Sequence, residues 1–502
     1  MRAVKNPQMQ IGEVDISQIR FDPKSRDDIP KILKGLQYIY CNTGIREEIF
    51  NLLENHFLDN TNKKNGRPGM EVWKIFVMGV LRLDLNCDFD RLHHVVNYDS
   101  LVRQMLGHPD IFDKHYYHMQ TIKDNVSLLT PDLLDKINQV IVKAGHVLLK
   151  KKESEQLRGR CDSFVVETHV HFPTDINLLY DAMRKIITLV ADLCHRHCFN
   201  GWRQYDYNIN HVKRLMRITQ NKKRASATTE EQKKKRDALI VQAHQDYIDV
   251  ATKYLSKVYD TLERLEKKRL LDVVDIIIKE EIENFITHAV RQINQINRRV
   301  IFGEEIQHDE KVFSLFQPHT EWVMKGKAGV PVELGVRVCV MEDQHQFILH
   351  HKVMEKQTDD QIAVPMVDET KKRFVDLNTC SFDKGFHSPE NQKELSKLLE
   401  VVALKRKGRL SQIARAIEES DEFRKARYKH SAVESAINSL EVHGLDRCPD
   451  HGINGFKRYV ALAIVTQNIR RIGAILKNRE QKIPDRKRKK YFNRDNAFKL
   501  AA

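Results

Sequence analysis

Three acidic residues, far apart in the chain, stand where a metal-binding carboxylate could stand. Asp383 lies in SFDKGFHSPEN (381–391), at the point where apolar strand text ends and a turn begins. The Ser388-Pro389-Glu390-Asn391 that follows spells the start of a helix. Asp162 lies at the start of a second strand-like segment, CDSFVVETHVHFP. Glu434 lies in HSAVESAINSL, on a helix, between the small residues Ala432, Ser435 and Ala436. It stands beside an apolar stripe of Val433, Ile437 and Leu440, with His430 one turn earlier on the same face. Taken singly, Asp162 and Asp383 have mundane readings, Asp383 that of a solvated turn aspartate before Gly, whereas Glu434 is expected to turn toward neighbouring structure. Taken together, two strand aspartates and a helix glutamate would form a cluster of hard oxygen ligands. Their mutual repulsion calls for cations, Mg²⁺ or Mn²⁺ before zinc. Two such ions about 3.5–4 Å apart activate a water or hydroxyl and stabilise the leaving oxygen in phosphodiester chemistry.

Other clusters compete for attention. Cys194-His195-Arg196-His197-Cys198 offers four ligand types within five residues. On a helix they splay over more than one face, and no second ligand pair is obvious, so zinc is disfavoured there. His169-Val170-His171 resembles the HxH of zinc-dependent amidohydrolases, to which His350-His351 could be added. Against it, the chain lacks the repeated strand–helix alternation of an eight-fold barrel. Ten Lys and Arg crowd into 211–236, among them Lys222, Lys223, Arg224, Lys233, Lys234, Lys235 and Arg236, against Glu230 and Glu231. Such density suits phosphate contact as well as it suits a solvated loop between helices.

The elements that must position these groups follow from pattern. The chain has 502 residues and 41% apolar content, which is globular rather than disordered. Its longest apolar run, Ile75–Leu81, is too short to cross a bilayer, and MRAVKNPQMQIGEV carries no apolar signal core, so a cytoplasmic protein is expected. Eight cysteines without a CxxC pair fit reduced thiols. Lys plus Arg outnumber Asp plus Glu by 84 to 69, and the net charge of +15 points to a polyanionic partner, nucleic acid before membrane. Residues 26–152 are helical text broken at 60–69. The stretch from Glu71 to Leu106, with a turn at Asn86–Asp88, is compatible with helix-turn-helix DNA binding or with a plain bundle. Strand text begins at 161. Almost pure helix then runs to about 300. Strands return at 311–355 as a pair turning at Glu342-Asp343-Gln344. A helix follows at 358–372, then the strand ending on Asp383, a helix from Ser388 and a strand VVALKR. Helices are expected at 411–420, 421–441 and 456–479, before a basic, mobile tail, DRKRKKYFNRDNAFKL.

The segments CDSFVVETHVHFPTD, SLFQPHTEWVMKGKAGVPVELG, SFDKGFHSPEN and HSAVESAINSLEVHGLDRCPDHG resemble bacterial insertion-sequence transposases of the DDE class. GRPGMEVWKIFVMGVLRLDLNCDFDRLHHVVNYDSLVRQMLG resembles the helical domain that often precedes their catalytic domain. The resemblance implies an α/β RNase H-like catalytic domain (156–175 and 301–445) interrupted by a large all-α insertion (176–300). An all-α DNA-binding domain (1–155) would precede it, and a C-terminal helix and basic tail (446–502) would follow. It implies Asp162, Asp383 and Glu434 as catalytic metal ligands for two Mg²⁺ ions, with Mn²⁺ as substitute. Transposon-end and target DNA would be the partners of a homodimer or larger assembly in a prokaryotic cytoplasm, with no membrane. Lys405, Arg406, Arg427 and His430 join Lys222–Arg224 and Lys233–Arg236 as expected nucleic-acid contacts. One departure stands out. Some relatives carry a tyrosine and an arginine before the glutamate and a lysine after it. Here the residues four and seven before Glu434 are His430 and Arg427, and seven after it stands Glu441, a departure that sets this chain in a different branch. The alternatives are the zinc-dependent amidohydrolase-type hydrolase and a DNA-binding protein without catalysis.

Overall fold

The structure, a computed structural model, describes residues 2–58, 69–109, 113–224, 226, 228–267, 271–324, 331–408 and 410–482. The basic tail and most of the 60–69 break lie outside the described residues. The chain divides into two compact units. One holds the residues up to 169 and from 323 onward, the other residues 170–322.

In the first unit, helices α1 (Ile29–Cys41), α2 (Thr43–Leu58), α3 (Val72–Asp84), α4 (Phe89–Tyr98), α5 (Ser100–Met105), α6 (Met119–Val126) and α7 (Pro131–Leu148) precede strand β1 (Leu157–Thr168). The second unit carries α8 (Asp175–Arg196), α9 (Tyr205–Arg224), α10 (Glu230–Lys267) and α11 (Val273–Ile296). After it come β2 (Glu321–Met324), β3 (Val332–Glu342), β4 (Ile348–Met354), α12 (Asp359–Arg373), β5 (Leu377–Phe382), α13 (Pro389–Leu398) and β6 (Val401–Ala403). The chain closes with α14 (Gln412–Glu419), α15 (Asp421–Tyr428), α16 (Ala432–Leu440), β7 (Arg447–Cys448) and α17 (Gly452–Gln481). The protein is therefore a helix-rich α/β chain built on one mixed sheet.

The strands lie in the order β2-β3-β1-β5-β6, with β4 also on β3 and β7 at the end of β1. β1 is central, antiparallel to β3 and parallel to β5; β4 returns antiparallel to β3, and β6 extends the sheet parallel to β5. β1 starts at Leu157, four residues earlier than its β-branched text suggests. Arg158 and Arg160 hide the strand from a pattern reading, because a buried arginine is rare. Arg160 is 8% exposed and lays its guanidinium 3.0 Å from Glu342 on the neighbouring strand. Asp162 consequently sits in the middle of β1, not at its start.

The helices before β1 share a core with the sheet. Trp73, Phe76, Phe347, Phe382 and Ile464 belong to one continuous apolar cluster, where the sequence suggested a separate N-terminal domain. α17 is the reason. It packs against α1, α3, α7 and β4, and apolar residues cover its whole circumference, as expected for a helix buried on all sides. α3 is also buried along its length, so the Glu71–Leu106 stretch forms core in the manner of a bundle. A polar clamp ties three elements together. The Asn468 side chain accepts from Ile348 N at 2.9 Å and donates to Ile348 O at 2.9 Å and Asn138 Oδ1 at 2.7 Å.

The helical unit has its own core of α8–α11 residues, including Ile186, Tyr247, Val258 and Phe285. It takes in 170–175 and 301–322, which the resemblance placed with the catalytic segment. Aromatic contacts hold them there: Trp322 meets both Phe172 and Phe313 at 5.6 Å between ring centroids, and Arg299 pairs with Asp175 at 2.7 Å.

Candidate active site

Two of the three expected carboxylates are brought together by register. β1 and β5 pair in parallel as far as Cys161 opposite Phe382. Asp162 and Asp383 are the next residues on these adjacent strands, which run about 4.8 Å apart, and residues at matching positions share a face. Asp383 ends β5 and stands before the short turn Lys384–Phe386, where the sequence put it. Ser388 caps α13 by accepting from Asn391 N at 3.0 Å, with Pro389 in the first turn.

Glu434 lies in the first turn of α16, which packs on β1 and β3. Its side chain is exposed rather than turned into the structure. The small residues around it, Ala432, Ser435 and Ala436, line a shallow cavity beside Gln467 and Arg471. The expected helix 421–441 is broken at Lys429–Ser431. That break turns His430 inward, where its Nδ1 meets Ser381 Oγ at 3.0 Å. Its Nε2 is buried without a hydrogen-bond partner, 4.0 Å from Asp383 Oδ1. Burial, with Arg427 nearby, lowers the His430 pKa to about 4, so the ring is neutral near pH 7. Arg427 braces the same strand end, donating to Phe382 O at 2.9 Å and lying 3.5 Å from Asp383 Oδ1.

The charges of these groups act on one another. Burial, followed by the fields of Asp383, Asp359 and Glu434, raises the Asp162 pKa to about 7, against one favourable bond from Ser163 N. Asp359 is a fourth carboxylate, and the sequence pattern did not single it out. It opens α12 and accepts from Ser163 Oγ at 2.6 Å. A Cβ on Gly385 would stand 2.9 Å from Asp359 Oδ2, so glycine after Lys384 lets the turn below Asp383 approach this acid. The Thr358-x-x-Gln361 pattern, a helix start with acids in its first turn, is the signal that marks it.

The expected cationic contacts form two groups, one in each unit. Lys407 reaches Gly385 O at 3.0 Å, and Lys405, on the same loop, is exposed. Arg406 is half-buried and anchored through its backbone to Glu418. In the helical unit Lys233, Lys235 and Arg236 each lie within 2.8 Å of Glu230, Glu231 and Asp237 respectively, while Lys222 and Lys234 are exposed. Lys223 lines a cavity of about 530 Å³ with Arg299, Gln292 and Trp322. The Arg224 side chain lies outside the described residues.

The Cys194–Cys198 cluster does not converge: Cys194 is buried, Cys198 is exposed, and His197 pairs with Asp275 at 2.7 Å. His171 is held by Asp181 at 2.6 Å. Among the described residues, one group of His, Cys, Asp or Glu has ligand atoms all within 4.8 Å of one another, namely Asp135, His350 and His351. The Asp162 cluster is more open than that. No helix among the described residues is long and apolar enough to cross a membrane. Comparison with family models, with curated proteins and with solved structures returns no match.

Proposed function

We propose that this chain is a DNA transposase of the DDE class, cleaving DNA strands and joining them through Asp162, Asp383 and Glu434. The observation that carries it is the pairing of β1 with β5. It sets side by side two aspartates 221 residues apart in the chain, and the field of Glu434, a further 51 residues on, reaches Asp162. The sheet supports an RNase H-like core: β1, β3 and β4 form an antiparallel meander, and β5 and β6 extend it parallel to β1 with helices between.

The donor set fits divalent cations. It is all oxygen and half-open, and burial together with the neighbouring carboxylates raises the Asp162 pKa to about 7. Asp162, Asp383 and Glu434 would hold two Mg²⁺ ions, or Mn²⁺ in their place, with Asp359 beside them. Bound there, the ions supply an activated water or hydroxyl and neutralise charge at the scissile phosphate. The chain's own groups do the rest. Arg427 fixes the end of β5 and hence the Asp383 carboxylate. His430, neutral near pH 7, adds no repulsion toward a cation and offers a buried nitrogen at the acid edge. Lys405, Arg406 and Lys407 furnish positive charge for the DNA backbone, and the 211–236 cations a second basic region. Transposon-end and target DNA are the proposed substrates, a homodimer or larger assembly the working form, and a prokaryotic cytoplasm the setting.

The test is nicking of a supercoiled plasmid carrying this gene with its flanking DNA. Nicking should require Mg²⁺ or Mn²⁺ and stop in EDTA. Asp162→Asn, Asp383→Asn and Glu434→Gln should each lower it roughly a thousand-fold or more, nearly as much as the triple variant, because groups acting as a unit are not additive. Binding to the flanking DNA should survive. A folded single variant with near-normal nicking removes that residue from the site, and full activity in EDTA removes the mechanism.

A further inference from the structure

α7 lies against β4, and their facing residues are unusually polar for a helix–sheet contact. Asp135 and Gln139 on the helix face His350 and His351 on the strand; Asp135 Oδ1 and His350 Nδ1 are 3.6 Å apart. Two consecutive strand residues normally point to opposite faces. Here the β3–β4 register slips between Met341 and Glu342, leaving Leu349 as an extra residue just before the histidines. A bulge of this kind re-aims side chains. The Asn468 clamp on the Ile348 backbone holds it in place.

The hydrogen bonds sort the ligand atoms. His350 Nε2 meets Glu369 Oε2 at 3.2 Å, which makes Nε2 the protonated nitrogen. The other nitrogen, Nδ1, then turns a lone pair toward Asp135 Oδ1. His350 is 4% exposed, and Asp135 Oδ1, His350 Nδ1 and His351 Nδ1 are all buried without a hydrogen-bond partner. The second carboxylate oxygen of Asp135 is not free: it accepts from Arg373 Nη2 at 3.0 Å and Nε at 3.2 Å, and from Gln139 Nε2 at 3.2 Å. Glu369 is braced in turn by Lys352 at 2.7 Å. Three acceptors within 4.8 Å of one another, two of them with the outer atom secured, form the pattern of a metal site: a carboxylate behind the ligating histidine and donors behind the ligating carboxylate. In a tetrahedral zinc site with bonds of about 2.0–2.1 Å, neighbouring ligand atoms stand about 3.3 Å apart, so the 3.6 Å His350–Asp135 separation needs little closing.

We propose that Asp135, His350 and His351 bind one Zn²⁺ ion that fastens α7 to β4. Two imidazoles and one carboxylate suit zinc, where the oxygen-only cluster around Asp162 suits magnesium. The site is buried under a helix rather than open at a sheet edge, so its role is to hold the fold. It stands independently of the transposase assignment.

The full-length protein, stripped with EDTA and desalted, would be titrated with Zn²⁺ against a chelating indicator and checked by elemental analysis. An Asp383→Asn background removes the oxygen cluster as a competing site. One tight equivalent is expected in this background. His351→Gln and Asp135→Asn should each weaken it at least a hundredfold, and Glu369→Gln, which leaves all three ligands in place, about 10–100-fold. Far-UV circular dichroism verifies that each variant folds. Co²⁺ in place of Zn²⁺ should give the strong visible bands of a tetrahedral N/O site without thiolate charge transfer. No tight equivalent, an equivalent unaffected by His351→Gln and Glu369→Gln, or thiolate bands pointing to the cysteines would each overturn the proposal. So would His350 found doubly protonated by ¹⁵N NMR in the presence of excess Zn²⁺, since an imidazolium between Asp135 and Glu369 explains the same geometry without a metal.

Discussion

The first unit holds two clusters of metal-type side chains, and they are built in opposite ways. Around Asp162 the ligands are carboxylates only, Glu434 is exposed, and Asp383 is 57% exposed along its side chain. Burial, with the fields of Asp383, Asp359 and Glu434, raises the Asp162 pKa to about 7. Around Asp135 the ligands are mixed, and the outer atoms of Asp135 and His350 are tied down. Burial works against the Asp135 charge, yet the neighbouring His350 and the Arg373 guanidinium hold its carboxyl well below the usual range. The open cluster leaves its charge for something else to neutralise, which suits ions that come and go with a phosphate substrate. The closed cluster is balanced from within, which suits a permanent structural ion. The two clusters on one sheet thus differ in how much support stands behind each carboxylate.

The contrast breaks most sharply at Asp383. Asp383→Asn should abolish nicking and leave the zinc equivalent intact, while His351→Gln should do the reverse at a temperature where the protein stays folded. Loss of both activities in one folded variant would show that the two clusters are a single device.

The next largest effect is expected at Asn468. Asn468→Ala strips a partner from Ile348 N and from Asn138 Oδ1, while Ile348 O keeps Asn138 Nδ2 at 3.1 Å; leaving such buried groups unpaired costs about 2–3 kcal/mol. Urea unfolding should register that loss, and the zinc affinity should fall with it as the bulge before His350 loosens. Nicking per folded molecule should change little. If nicking falls in step with zinc affinity, the support of the two clusters is shared.

A pH series separates the clusters without mutation. Folded Asp162 keeps its proton to about pH 7, whereas an unfolded aspartate loses it near ~3.9. Between those values the folded state binds more protons than the unfolded state. Stability in EDTA should therefore fall as pH rises through that window. Asp162→Asn should remove its share of the slope. Glu342, raised by burial to about 7, leaves a remainder of the same sign. Adding Mg²⁺ should restore stability at pH 8 in the wild type and not in Asp162→Asn. A slope identical in the two proteins would contradict the crowding around Asp162.

The smallest effect is expected at Gly385. Gly385→Ala puts a methyl 2.9 Å from Asp359 Oδ2, and the carboxylate can swing aside, so the stability cost should be about 1 kcal/mol or less. Nicking should drop several-fold with a raised Mg²⁺ requirement, and zinc binding should be untouched. Unchanged nicking would place Asp359 outside the site.

Local signals in the chain foretold a good deal of this. The Ser388-Pro389 helix start, the β3–β4 turn near Glu342–Gln344 and the strand ending on Asp383 each depend on a few neighbouring residues, and each is where the pattern put it. Glu434 was placed correctly in a helix, although its exposure was not foreseen. What the chain alone did not disclose depends on pairing between distant segments. Asp162 looked like a strand opening because Arg158 and Arg160 masked the true beginning; Arg158 is exposed, and the burial of Arg160 rests on Glu342 from another strand. Asp359 looked like an ordinary first-turn acid until the β1–β5 register brought Ser163 and Gly385 to it. His350 and His351 looked like neighbours on opposite faces of a strand, and only the fold brings a nitrogen of each within 4.8 Å of Asp135 on α7. Side-chain direction in a sheet alternates with every residue, so which groups meet is decided by register. Register here is set by cross-strand contacts and by an asparagine on α17, more than a hundred residues beyond the strand it clamps.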